Sequence, residues 1–312
     1  MHRREVDGAL AVTARWQAGL ICRRQALDAG FGPRQIGTRV ADGTWHRVSR
    51  GVYDVFPGAQ VLADRFDQVR LRSAWIGILS TFPRGIATGA CALALQGFDG
   101  LPMHLRPEVT LPDAAHCRGA AGVVIRRFEK PMRLRRLGEH LLVDPVVALI
   151  QALPEWDRDT AVSVLDAGLN QARITPRDLE EVRCGVRGRR GAAKLGLWWT
   201  LVDPRAESPV ETIARLKCLD AGLPRPELQV QIRDGDGAII ARGDFGWRRG
   251  DGTWVLVEID GKSIHGRPEA LYRDRSRQNA IALTGRHTQL RFTKREVVDG
   301  GLVRVIAAAL AR

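Results

Sequence analysis

Two carboxylates, Glu258 and Asp260, lie two residues apart in the stretch TWVLVEIDG, which otherwise alternates as a β-strand does. A third, Asp244, lies upstream in GDFGW, and the intervening RRGDG has the composition of a turn. Strands joined by so short a turn are antiparallel, and a turn centred on Asp251 sets Asp244 directly opposite Glu258. Opposed side chains have Cβ atoms about 4.5–5.5 Å apart, and Asp260 stands about 6.5 Å farther along the same face. Val255, Val257 and Ile259 then point the other way, into a core. Like charges facing each other destabilise a sheet, so the patch calls for a compensating cation. Mg²⁺ or Mn²⁺ fits, because such ions take a few carboxylates and keep several waters. A bound ion of this kind polarises a phosphate and lowers the pKa of its water. Asp244, Glu258 and Asp260 are therefore the candidate metal ligands. The competing reading centres the turn elsewhere and leaves the acids unrelated on exposed edges, since a slip of one residue moves Asp244 to the opposite face.

Other groups near these acids in sequence could take part. Lys262 follows Gly261 and could orient a water or offset charge, or be an ordinary loop lysine. His265 could act as a general base near neutral pH, or simply hydrogen-bond a carboxylate. The helix RPEALYRDRSRQNAIALTG, closed by Gly285, carries Asp274, Arg277 and Gln278 on one side. Upstream, ESPVETIARLKCLDAGL is a helix with Ser208 as N-cap, Pro209 at its first position and Glu211 at capping-box spacing.

These elements belong to the last of three segments. A chain of 312 residues is too long for one ordinary domain. Its 45% hydrophobic and 27% charged residues are those of a folded, water-exposed protein. No apolar run reaches the roughly 18–20 residues of a membrane span, and MHRREVDGAL lacks the features of a signal peptide. The five cysteines are scattered without a CxxC pair, so reduced, mostly buried thiols and a cytoplasmic, nucleoid-associated setting are expected. The formal charge of +13 favours a polyanionic partner, nucleic acid first. Basic composition without a functional cause is the alternative.

Residues 1–58 read as helix, tight turn, helix and hairpin. Arg23 to Ala29 is a short helix closed by Gly30; Pro33 opens the next, which runs to about Asp42. TWHRVSRGVYDV then alternates, with Trp45, Val48, Val52 and Val55 among polar neighbours, as a two-stranded wing would. Helix–turn–helix units place the second helix in a major groove. Arg34, Gln35 and Arg39 would then face DNA, with His46, Arg47 and Arg50 reaching phosphates from the wing. A small interaction domain of the same shape is the competing reading. Residues 59–200 carry helices around VLADRFDQVRLRSAWIGIL and ATGACALALQGF, and strands at PEVTLPD and GVVIRRF. Seven basic residues between 118 and 140 (Arg118, Arg126, Arg127, Lys130, Arg133, Arg135, Arg136) read equally as a phosphate strip or a solvated loop. VRCGVRGRRGAAKLGLWW is a second basic stretch; it lacks the Lys-Ser/Thr ending of a P-loop and reads as a turn and helix start.

Two resemblances refine these expectations. ICRRQALDAGFGPRQIGTRVADGTWHRVSRGVYDV, with its W-x-R-V-x-x-G-V-Y close, resembles the N-terminal winged helix of AbiEi-type antitoxins, the repressors of type IV toxin–antitoxin pairs. That resemblance, which extends to the order of elements in the middle region, implies operator-like DNA binding. ESPVET, PELQVQI, GDFGW, VEIDGKSIH, DRSRQNAIALTG and LRFT, in that order between Glu207 and Thr293, resemble the PD-(D/E)XK nuclease superfamily. The similarity is to its domain of unknown function related to very-short-patch repair endonucleases. It implies a central sheet flanked by helices, Asp244 and Glu258 as metal ligands, and Glu211 assisting directly or through water. It also implies that the helix bearing Arg277 and Gln278 lies beside the metal, where either residue could contact the scissile phosphate. Where the E-x-K motif would place a lysine, this chain has Asp260, which leaves the role of Lys262 in doubt.

The expected fold class is multi-domain α/β. It comprises a winged helix-turn-helix (1–58), a small AbiEi-like α/β region (59–200) and a restriction-endonuclease-like mixed sheet flanked by helices (205–312). The leading functional expectation is a Mg²⁺-dependent (or Mn²⁺-dependent) DNA endonuclease in phage defence or DNA repair, with Asp244, Glu258, Asp260, Lys262, His265, Glu211 and Gln278 as its site. The alternative is an antitoxin-like repressor whose nuclease fold cuts weakly or not at all. DNA is the partner in both, a homodimer is compatible with either, and a toxin partner enters only under the second.

Overall fold

In the computed structural model, the described residues are 2–112, 122–128, 132–233, 236–237, 239–260 and 287–311. Lys262, His265, Asp274, Arg277 and Gln278, with Arg118 and Lys130, lie outside them. The chain forms two compact units, one of residues 1–156 and 174–194, the other of residues 157–173 and 195–312. The architecture is mixed α/β, as expected. The division departs from three sequential segments, because the winged helix and the first middle sheet share one unit and a middle helix belongs to the other.

The first unit opens with α1 (His2–Trp16), β1 (Leu20–Cys22), α2 (Arg23–Asp28), α3 (Pro33–Ala41), β2 (His46–Ser49) and β3 (Val52–Asp54). β3 pairs antiparallel with both β1 and β2, giving a three-stranded sheet of order β1-β3-β2. The reason is visible in the burial: Leu10, Ala14, Ile21, Ala26, Phe31, Ile36, Trp45 and Tyr53 close on one apolar core. Pro33 starts α3, and the turn before it uses Gly30 at φ 88, a conformation that favours glycine. Val48 is exposed on the wing, unlike Trp45 and Val52, which are buried. The β2–β3 register shifts between Arg47 and Ser49, and a bulge there leaves Val48 exposed.

The same unit continues through α4 (Arg65–Ser80), β4 (Ile86–Ala87), α5 (Gly89–Leu95), β5 (Glu108–Thr110), β6 (Val124–Arg126), β7 (Leu134–Leu137), β8 (His140–Val143), α6 (Pro145–Ala152) and α8 (Pro176–Gly185). Its second sheet has the order β6-β5-β4-β8-β7, with β4–β8 and β5–β6 parallel. Of the described members of the basic strip, Arg126, Arg135 and Arg136 lie on strands, and Arg127 and Arg133 stand just outside them. Arg126 there is held by Glu108 at 2.6 Å and by Glu155 at 2.5 Å, and Arg133 by Asp144 at 2.7 Å and Glu181 at 2.9 Å. Those two guanidiniums serve internal pairing.

The second unit holds α7 (Arg158–Asn170), α9 (Leu195–Trp198), α10 (Pro209–Asp220), β9 (Glu227–Arg233), β10 (Ile239–Arg248), β11 (Trp254–Asp260), β12 (His287–Thr293), α11 (Lys294–Val298) and α12 (Gly301–Leu310). The sheet order is β12-β11-β10-β9, with β10–β11 antiparallel and β11–β12 parallel. Phe245, Trp247, Val257 and Ile259 pack with Ala214 and Cys218 of α10 and with Leu302 and Ile306 of α12. The opposite face is not bare, because Leu256 is fully buried with Val230 and Ala241. Cys22, Cys91 and Cys218 are buried free thiols and Cys184 is an exposed one. Among the described residues no helix is long and apolar enough to cross a membrane.

Candidate active site

The hairpin that carries the acids has the expected register. Phe245 pairs with Val257 and Trp247 with Val255, so one further step along the ladder sets Asp244 against Glu258. On its other side β10 pairs with β9, Phe245 with Leu228 and Gly243 with Val230, which leaves Gln229 level with Asp244. Asp244 thus sits between two neighbouring strands in mid-sheet, where its carboxylate Oδ2 accepts the Ile259 N–H at 2.6 Å. Burial, and then the charges of Glu211 and Glu258, push the Asp244 carboxyl up to about 7, against the lowering bond from Ile259 and the charge of Arg242.

Glu211 comes to this patch from α10. Ser208 caps the helix as expected, its Oγ accepting the Glu211 N–H at 3.3 Å. The return bond differs from a capping box: Glu211 Oε2 accepts from Glu207 N at 2.9 Å, one residue before the cap. The same oxygen accepts from Gln229 Nε2 at 3.3 Å. Burial raises the Glu211 carboxyl above its ordinary range, and the Glu207 charge adds to the rise. Below it, Asp166 of α7 accepts from Thr212 Oγ1 at 2.9 Å and Arg215 Nη2 at 2.8 Å. Those two contacts tie α10 to α7 just after Glu211.

Gln229 is a residue the sequence did not single out. Its φ of 55 is in the left-handed region, which costs a non-glycine residue roughly 1–2 kcal/mol. The side chain donates to Glu211, and its Oε1 accepts from Arg242 Nη2 at 2.6 Å. Arg242 also meets Glu207 at 2.5 Å. Two more residues were missed, both on β12. Arg291 Nε meets Glu258 Oε2 at 2.9 Å and Gln289 Nε2 donates to the same oxygen at 3.1 Å. Their partner strand β11 is separated from β12 by residues 261–286, beyond the reach of a local pattern.

Glu211, Asp244 and Glu258 are therefore brought into one electrostatic neighbourhood. Asp260 is exposed at the end of β11, level with Thr293. The donors are carboxylate oxygens, the chemistry that suits Mg²⁺ or Mn²⁺ over softer metals. Asp244, whose carboxyl is raised to about 7 by burial first and by its acidic neighbours second, is a group that a cation would relieve. Among the described residues no three His, Cys, Asp or Glu side chains gather closely enough to enclose an ion by themselves.

On the winged helix, Arg34, His46, Arg47 and Arg50 are exposed, as a phosphate-reaching surface requires. Gln35 and Arg39 are partly committed elsewhere. Gln35 Oε1 accepts from Gly32 N at 2.8 Å and so closes the start of α3. The Arg39 guanidinium stacks 4.9 Å from the Phe31 ring and 5.4 Å from the Trp45 ring.

No family model matches this sequence. Two curated proteins of Mycobacterium tuberculosis are similar to it, "Uncharacterized protein MT2308" of strain CDC 1551 / Oshkosh and "Uncharacterized protein Rv2248" of strain ATCC 25618 / H37Rv. Each is 28% identical over 247 residues, covering 78% of this chain and 84% of the relative. Neither name states an activity.

Proposed function

We propose that the protein is a DNA-binding, metal-dependent endonuclease of the PD-(D/E)XK kind. The observation that carries this reading is the convergence of Glu211, Asp244 and Glu258 on one half-buried patch, with the Asp244 carboxyl raised to about 7 by burial and by its acidic neighbours. Burying like charges together is costly unless something offsets them, and a divalent cation offsets them directly. Asp244 and Glu258 would hold the ion, with Asp260 at the open end of the strand. A bound Mg²⁺ or Mn²⁺ supplies charge stabilisation at the phosphate. The chain's own part is to fix the acids: Ile259 N–H orients Asp244, Arg291 and Gln289 orient Glu258, and the Asp166–Arg215 pair fixes the helix of Glu211. The exposed cations Arg34, His46, Arg47 and Arg50 would hold the duplex. The test is incubation of the purified chain with plasmid and linear DNA in Mg²⁺, Mn²⁺ or EDTA. Nicking that requires the metal is expected, and intact DNA under every condition removes the enzyme reading.

One observation favours the second reading, a DNA-binding repressor with a silent nuclease fold. Glu258 is already paired with Arg291, so part of the charge that would attract a cation is neutralised internally. Under that reading the chain protects a specific site in its own promoter, Arg34→Ala erases the footprint, and no metal promotes cutting.

A further inference from the structure

We infer that the loop of residues 186–194 is a second nucleic-acid contact, receiving backbone phosphates of duplex DNA on Arg187, Arg189 and Arg190 and in the cleft beside them. The inference rests on the DNA-binding reading above and adds to it a surface that the winged helix does not contain.

From Val182 to Val202 the sequence carries five basic residues and no acidic one. The side chains of Arg187, Arg189 and Arg190 are exposed, and no salt bridge engages them among the described residues. The backbone beneath them is pinned. Gly185 lies against Ile150 so closely that a Cβ would stand 2.3 Å from Ile150 Cδ1. Gly191, at φ 84, lies on the Pro154 carbonyl, where a Cβ would come within 2.4 Å of the oxygen. Successive turns, Arg187 N to Cys184 O at 3.2 Å, Arg189 N to Val186 O at 3.1 Å and Ala192 N to Arg189 O at 3.0 Å, fix the main chain that carries these arginines. A fixed main chain lowers the entropy lost on binding.

A cleft of about 540 Å³ opens beside this loop, lined by Gln151, Pro154, Glu155, Arg189, Arg190 and Gly191. The Gln151 side chain is buried, 4% exposed. Its Oε1 is used by Gly89 N at 2.9 Å and by Thr88 Oγ1, while its Nε2 has a thioether partner, Met132 Sδ at 3.6 Å. A thioether is a weak acceptor, so this amide donor retains capacity for a phosphate oxygen. Glu155 does not oppose an anion with its full charge, because Arg126 grips both its oxygens at 2.5 and 2.8 Å. Planar guanidiniums match phosphate geometry in pairs. Pro154 is the one apolar side chain of the cleft, which offers no wall for an acyl chain and favours a nucleic-acid phosphate over a lipid headgroup.

The test is fluorescence anisotropy of a labelled mixed-sequence DNA duplex over a series of salt concentrations, using the full chain. Arg189→Ala combined with Arg190→Ala is expected to weaken binding about 10-fold near physiological salt and to flatten the slope of log K against log salt by about 2, equally for unrelated duplexes. The Arg189→Lys, Arg190→Lys pair keeps the slope, and thermal melting of both variants matches the parent. An unchanged slope in the alanine variant, while Arg34→Ala still weakens binding, overturns the inference and leaves the DNA-binding reading standing. A parent chain that binds no duplex at low salt overturns both. Loss of binding to phosphatidylserine vesicles with an unchanged DNA isotherm assigns the loop to acidic membranes and overturns the inference as well.

Discussion

The molecule has two hairpins whose charges are opposite in sign and opposite in setting. In β2–β3, His46 and Arg47 stand on an edge strand and Arg50 in the turn that follows it, all exposed, with a register shift between Arg47 and Ser49. In β10–β11, Asp244 and Glu258 stand on the two central strands of a four-stranded sheet, half-buried, with Glu211 brought in from α10. Water screens the first set, so gathering those cations costs little and their field reaches outward to a polyanion. The second set cannot be screened in the same way, and burial together with the charges of Glu211 and Glu258 raises the proton affinity of Asp244 instead. An exposed charged hairpin attracts at a distance, whereas a half-buried one creates a demand at a single point. Under the endonuclease proposal the first hairpin would collect a duplex and the second would act on it.

The largest expected effect lies on the acidic hairpin. Glu258→Ala should reduce metal-dependent nicking by more than about 100-fold, the loss seen when groups that hold or orient a metal are removed. Duplex affinity should stay within about 2-fold, because the exposed cations are untouched. Plasmid nicking alongside anisotropy checks both halves. Equal cutting by parent and variant would detach the acidic hairpin from any chemistry.

Next in size is the cationic hairpin and the helix before it. Arg34→Ala with Arg47→Ala should lower duplex affinity about 10- to 100-fold and reduce the salt slope by about 2. Cutting at saturating DNA should be preserved. If affinity holds while cutting falls, the division of labour between the hairpins is reversed.

The local sequence carried much of this and missed the rest for identifiable reasons. The β10–β11 register was legible because a short turn ties its two strands, so alternation and the position of Asp251 suffice to set Asp244 against Glu258. Arg291 was not legible as the partner of Glu258, because β12 joins β11 in parallel and the crossover erases any local clue to register. Gln229 escaped notice because alternation assumes extended backbone, and its φ of 55 breaks that assumption. α1 was missed as well, although Leu10 and Ala14 have the one-turn spacing of its buried face. The two-unit division was not readable either: α7 belongs with the last segment through a buried ion pair, Asp166 with Arg215, that no composition shift announces.

A smaller effect separates burial from catalysis on the acidic side. In metal-free chain the folded-state Asp244 carboxyl is raised to about 7 from an ordinary 3.8. Below about pH 4 both folded and unfolded chains hold this proton, so the group contributes nothing to pH dependence. Between there and about pH 7 the folded chain keeps a proton that the unfolded chain has released, so stability falls as pH rises; above that it levels off. Asp244→Asn stays neutral, keeps an oxygen for the Ile259 N–H and loses this slope. At about pH 8 it should be more stable than the parent by about 1–2 kcal/mol, less than the whole shift converts to because water reaches part of the group. The advantage should vanish near pH 4. Millimolar Mg²⁺ should raise the melting temperature of the parent at the higher pH and leave Asp244→Asn unmoved. Parallel melting of the two chains over the whole range, with or without Mg²⁺, would mean that no charge is trapped there.

The smallest effect tests whether, under the DNA-binding proposal, every polar residue of α3 faces DNA. Gln35 stands exposed beside Arg34, yet its Oε1 accepts the Gly32 N–H at 2.8 Å and closes an otherwise unpaired donor at the start of α3. Its removal should act on the helix: Gln35→Ala is expected to cost about 0.5–1 kcal/mol, the scale of a lost helix cap. Duplex affinity should change by less than about 3-fold with no change in salt slope, since no charge is lost. Chemical denaturation and the anisotropy titration read the two quantities separately. A large affinity loss with unchanged stability would mean that Gln35 leaves its cap to meet a base, and would make the cationic hairpin one part of a reading surface that includes α3 itself.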